Sequence, residues 1–305
     1  RPAAAQNLPS DRTPASPRPA IRGNGTTIVS VDPMRTLTLI DVDVDMGDVV
    51  LESGATLVYD VRSTLTVDQA IRDAAAGARG KLDKRGTATR TLTGANAYTG
   101  GTTVTAGKLE VRIASLPGAA DLRSGTELIF TDTADGTFAG VISGPGAVVK
   151  NGANVLTLGG SNTYTGGTTI NGGRLVGPPG AIRGNMTIGS GAVLEIQPGP
   201  TPAVYSGAIG GSGLLLVSGG GELALAPTGA GNTVTTAQVT GATLVRGAGA
   251  AISGDVQLGP TATLVIDEPG TAVFSRVLSG TGTFEKDGAG TLSLTGNNAG
   301  FAGGS

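Results

Sequence analysis

The sequence predicts an all-β solenoid, a parallel β-helix, on three observations. A unit of 66–71 residues recurs four times, short β-branched runs are cut by glycine every few residues, and aromatic residues are scarce. The chain has 305 residues with 53 Gly, five Phe, four Tyr and no Trp, so its core must come from Val, Leu, Ile and Ala. Glycine without a G-x-y period excludes collagen. A hydrophobic fraction of 39% and a mean hydropathy of +0.14 exclude a disordered chain. β-branched residues and glycine disfavour helix, which leaves strands as the stacking unit.

In chain order, residues 1–20 hold five of the sixteen prolines and predict an extended lead-in or linker. Residues 21–305 predict one parallel β-helix, beginning with the strand-like runs Thr26–Val31 and Thr36–Val44. The repeat is anchored by Leu57, Leu128, Leu194 and Leu264, spaced 71, 66 and 70 residues apart. Ten or eleven residues after each come Val67, Phe138, Tyr205 and Phe274; twelve further on lie Lys150, Val217 and Lys286, matched by Lys84 in the first unit. Three strands with three short turns need on the order of 22 residues, so each unit predicts about three coils. Stacked coils place ladders of Val, Leu and Ile at about 4.8 Å per rung, a core too narrow for many aromatics. The first unit carries five extra residues between Ile71 and Lys84. Across Asp68–Ala76, the spacing of Val67, Ala70, Ile71, Ala74 and Ala75 predicts a short helix, with Asp68 to cap it and Gly77 to stop it. This places a short excursion from the wall near 68–80.

Within the units lies a sharper motif. One copy reads TLTGANAYTGGTTVTAGKL (91–109), a second TLGGSNTYTGGTTINGGRL (157–175), and a third begins KDGAGTLSLTGNNAGFAGGS (286–305). The motif resembles the passenger-associated transport repeat of autotransporters. Arg90 departs from it where the other copies have Leu156 and Leu292, Phe301 replaces the tyrosine after one extra residue, and the unit near 217–231 lacks the Asn-Tyr element. The resemblance implies a right-handed parallel β-helix, secreted to the surface of a Gram-negative cell through a C-terminal outer-membrane barrel outside this chain. Read physically, Gly100–Gly101 and Gly166–Gly167 permit positive φ or close backbone approach at a corner. Asn96 and Asn162 bond neighbouring backbone or stack as an inward ladder, and Tyr98 and Tyr164 pack over a corner.

Sites for chemistry are few. Asp41, Asp43 and Asp45 with Glu52 imitate an EF-hand loop, but Met46 stands where the loop needs glycine, which follows at Gly47. Alternation on a strand, with Val42, Val44 and Met46 inward and the three Asp outward, is the simpler reading. Gly280-Thr281-Gly282 lacks a helix to receive phosphate. Gly189-Ser190-Gly191 has no histidine to activate the serine, because the chain has no His. Scattered carboxylates with few aromatics argue against a glycan-degrading enzyme. Nor do 21 basic against 23 acidic residues, net −2, call for nucleic acid as a partner.

The expectation is therefore a non-enzymatic passenger with no catalytic, cofactor or metal residues. It would act as an adhesin, a self-association surface or a scaffold for a host surface or serum protein. The alternative is a β-helical stem presenting a catalytic domain encoded elsewhere; a polysaccharide-degrading β-helix ranks below both.

Overall fold

The computed structural model describes residues 6–7, 29–41, 47–226, 233–246 and 252–305. Of the expected lead-in, only Gln6–Asn7 falls within these residues, as a strand pairing with Val29–Ser30; the rest lies outside them. Among the described residues the chain is strands and turns, with one 3-10 turn at Ile113–Ser115 and no α-helix. The strands pair in parallel and stack into a β-solenoid.

The chain forms two compact units. In the first (1–132, 139–148 and 163–166), one wall carries Val29–Val31, Val49–Leu51 and Ile71–Asp73. A second carries Thr36–Ile40, Thr56–Asp60, Lys81–Arg85, Thr102–Val104, Ala120–Leu122 and Ile142–Ser143. A third runs through Leu65–Val67, Thr89–Leu92, Lys108–Val111 and Glu127–Phe130. Within the second unit (133–138, 149–162 and 167–305), one wall includes Arg174–Gly177 and Val193–Ile196, and another stacks Ala203–Tyr205, Glu222–Leu225, Thr243–Arg246, Thr263–Asp267 and Thr283–Asp287. The strand Ile209–Ser218 serves two walls: Ile209–Gly211 pairs with Met186–Ile188 and Leu214–Val217 with Val193–Ile196.

Period-2 alternation sends every second side chain inward. On the second wall of the first unit, one inward ladder reads Leu57, Leu82, Thr102, Ala120 and Ile142, and its neighbour reads Tyr59, Lys84, Val104 and Leu122. The repeat leucines Leu57, Leu128, Leu194 and Leu264 are all fully buried, as the spacing requires.

One expectation needs correction. Asp68–Ala76 is not a helix: Ile71–Asp73 is a wall strand paired with Val49–Leu51. The helical spacing of its alanines is overridden by the ladder on offer at Val49, which buries Ile71 completely. What departs from the strand is only the corner that follows, where Ala78 N donates to Ala75 O (3.1 Å) and Gly77 takes φ +83°. Asp73 ties that corner down, accepting from Gly80 N at 2.8 Å and Thr99 Oγ1 at 2.6 Å.

The repeat also carries a phase of its own. Coils in the first unit advance by 18 (Thr102 to Ala120) to 25 (Thr56 to Lys81) residues. Three coils from Leu57 end at Ala120 on the second wall, and Leu128 lies one wall further on, paired with Leu109. The repeat is thus three coils plus one wall. The same offset separates Leu194, between Leu175 and Leu215, from Leu264, between Leu244 and Phe284.

Candidate functional site

The side chains that give the motif its chemistry are buried polar groups. Lys84 and Lys150 are fully buried. Each occupies a core position on a strand and turns its ammonium into the corner that follows. Lys84 Nζ donates to Gly86 O (2.7 Å) and to Ala106 O on the next coil (2.8 Å). Lys150 Nζ lies among four oxygens: Asn151 O (3.2 Å), Gly152 O (3.0 Å), Asn154 Oδ1 (3.1 Å) and, on the next coil, Gly172 O (3.2 Å). Lys286 makes the same grip on its own corner, Asp287 O (2.8 Å) and Gly288 O (2.7 Å), and is exposed.

The Asn-Tyr-Gly-Gly element bridges coils where no strand forms. Asn96 Oδ1 accepts from Ile71 N (2.8 Å) on the coil before, and its Nδ2 donates to Ser115 O (2.7 Å) on the coil after. Asn162 Nδ2 donates to Ala181 O (2.7 Å), and Asn298 Oδ1 accepts from Leu278 N (2.7 Å). Of the two readings the sequence allows, backbone bonding is the one realised. Tyr98 and Tyr164 are buried, and Tyr98 Oη shares a 2.6 Å hydrogen bond with Thr102 Oγ1. Burial raises the Tyr98 phenol above its usual pKa. The paired glycines divide the work. Gly101 and Gly167 sit at φ +85° and +88°, while a Cβ at Gly100 or Gly166 would overlap the carbonyl oxygen of Arg79 or Gly146.

In the first unit the core carries extra charge. Arg90 is buried, with its guanidinium carbon 4.1 Å from the centroid of the Tyr59 ring. Burial raises the Tyr59 phenol, an effect that the Arg90 charge opposes. Burial lowers Lys84 to about 8; Asp60 works against that shift and Arg90 adds to it.

Of the residues weighed for calcium, Asp41 caps a corner, its Oδ1 accepting from Arg62 N (2.6 Å) and Ser63 N (3.2 Å); Asp43, Asp45 and Met46 lie outside the described residues. Ser190 and Thr281 stand at corners between strands. One buried carboxylate carries no mark in the sequence. Glu195, 4% exposed, lies on the outer face of its wall and is bonded to Arg174, Ser218 and Gln197 (2.8 Å). Burial works to raise its pKa, but these donors together hold the carboxylate below its usual value. A carboxylate with its lone pairs filled in this way is a structural tie, not a proton shuttle. Two of its three partners, Arg174 and Ser218, come from other coils, and the third, Gln197, stands two residues away, so no local pattern marks the group.

The chain matches the passenger-associated transport repeat at residues 82–111, 148–176 and 284–305. It is 35% identical over 211 residues to the adhesin BmaC autotransporter of Brucella suis biovar 1 (strain 1330), an alignment covering 58% of this chain and 6% of that protein. No solved structure matches.

Proposed function

We propose that this chain, an autotransporter passenger built on passenger-associated transport repeats, is a length of adhesive surface scaffold, secreted and held outside a Gram-negative cell. The observation that carries this reading is the 35% identity to a protein named as an adhesin. The chain spans about 6% of that relative's length, so the partner it engages is part of the proposal. A host surface or serum protein, or a like passenger on a second cell, fits a stack of regular walls better than a small substrate does. The buried polar side chains described above face the coils and their corners, which makes them part of the scaffold. The outward faces of the strands are then left for contact.

The test is surface display of residues 21–305 on a non-adherent laboratory bacterium, scored for attachment to epithelial monolayers, to serum-coated plates and to other displaying cells. Saturable attachment above that of an unrelated β-solenoid displayed at equal density is expected. Attachment equal to that control on all three surfaces would remove the adhesin reading and leave a stem that carries something else.

A further inference from the structure

We propose that the lysine at the head of the motif is a tethered cation, whose ammonium fills a cage of oxygens at a coil corner and thereby fixes the register in which the next coil docks. The cage is most complete at Lys150. Three oxygens come from its own corner (Asn151, Gly152 and the Asn154 side chain), and the fourth, from Gly172, comes from the following coil. Such a convergence of oxygens is the kind of site a hard metal ion would take. The distances of 3.0–3.2 Å are those of N–H···O bonds, so the ammonium occupies the place itself.

The facing coil is shaped to receive it. Gly107 follows the acceptor Ala106, and a Cβ there would stand 2.7 Å from Lys84 Nζ. Gly173 stands at the same place after Gly172, with φ +64° against +68° at Gly107. Both acceptors lie 22 residues beyond their lysine. Lys286 repeats the grip on its own corner, bonding Asp287 O and Gly288 O.

Register follows from the chemistry. Ladders of Val, Leu and Ile reject a slip of one residue, which would turn their side chains outward, but discriminate poorly between alignments two residues apart, because one aliphatic rung resembles another. A buried ammonium discriminates strongly. A coil displaced by two residues would withdraw the Gly172 carbonyl and leave the buried charge short of one acceptor.

The experiment uses the whole chain. Hydrogen exchange is followed across residues 148–177 in Lys150→Ala, Lys150→Met and Lys286→Ala, in methylammonium chloride and in tetramethylammonium chloride at equal ionic strength. Lys150→Ala should exchange about tenfold faster or more on both sides of the corner. It should regain part of its protection in methylammonium, which can donate into the cage, and none in tetramethylammonium, which cannot. Lys150→Met fills the space without donors and should lose protection in both salts. Lys286→Ala should leave residues 148–177 unchanged. Wild-type protection in Lys150→Ala, equal recovery in the two salts, or wild-type protection in Lys150→Met would each overturn the proposal. If Lys150→Ala does not fold, the same comparison on Lys84→Ala, read as recovery of folded chain, decides it by the same criteria.

Discussion

The guanidinium of Arg90 lies over the ring of Tyr59, 4.1 Å from its centroid, where the second copy of the repeat has the aliphatic Leu156 and, in place of the tyrosine, Phe130. The two departures from the repeat are therefore partners. Arg90→Leu and Tyr59→Phe should each destabilise the first unit, and the double variant, which copies the second repeat, should cost less than their sum. The coupling in a double-mutant cycle should be on the order of 1–2 kcal/mol, measured from denaturant unfolding. Additive effects would dissolve the pair.

Asn96 stands in for a missing strand. Asn96→Ala strips partners from the buried Ile71 N and Ser115 O, a loss of about 2–4 kcal/mol. Asn96→Asp keeps the acceptor for Ile71 N but turns an oxygen on Ser115 O, and should be nearly as damaging. The signature is local: exchange at Ile71–Asp73 should accelerate in the alanine variant and less so in the aspartate variant.

Stability should depend on pH in the alkaline range, with opposing signs. Lys84 titrates near 8 in the folded chain against 10.5 ordinarily, so between these values the folded state binds fewer protons and stability rises with pH. Tyr59 and Tyr98 are raised above 10.0, so beyond that value the unfolded state loses protons that the folded state keeps, and stability falls. A maximum near pH 10 is expected in the denaturant midpoint. Lys84→Arg, which does not titrate there, should lack the rising limb.

On the acid side the group to watch is Glu195. Its folded pKa is depressed, so its contribution is present above the usual 4.5 and disappears as pH falls through the folded value. Glu195→Gln should lower stability by about 1–3 kcal/mol at neutral pH and flatten that acid limb. An unchanged acid limb would show that other carboxylates dominate it.

The glycine pair offers a cleaner contrast. Gly100→Ala drives a Cβ into the Arg79 carbonyl, whereas Gly101→Ala meets only Ala119 O at 3.3 Å and bears the strain of φ +85°. Gly101→Ala should cost about 1–2 kcal/mol. Gly100→Ala should cost more, because backbone must move; the reverse order in thermal melts would contradict the geometry.

These residues also show what a sequence can reveal about such a fold. Leu57, Leu128, Leu194 and Leu264 could be assigned to the core because inward positions accept little but apolar side chains, and the repeat marks them. Phase was hidden, since corners vary in length and the coil advance varies with them. Ile71–Asp73 was hidden because three residues are too few to show alternation, and only the partner strand at Val49 decides its conformation. Arg90 was visible as an exception, but Tyr59, its reason, is reached only by folding one coil onto another. The Glu195 cluster joins residues from successive strands of one wall, and nothing in the sequence near Glu195 announces Arg174 or Ser218.

The offset of one wall per repeat bears on the adhesive contact proposed above. In any run of repeats with this offset, a given corner points in a direction rotated by a third of a turn from its counterpart in the repeat before. The same compass bearing returns only after three repeats, ten coils, or about 48 Å along the axis at 4.8 Å per rung. A flat partner lying along one side would meet one motif copy in three, so avidity would demand binding sites at that wide pitch or a partner that wraps the stem.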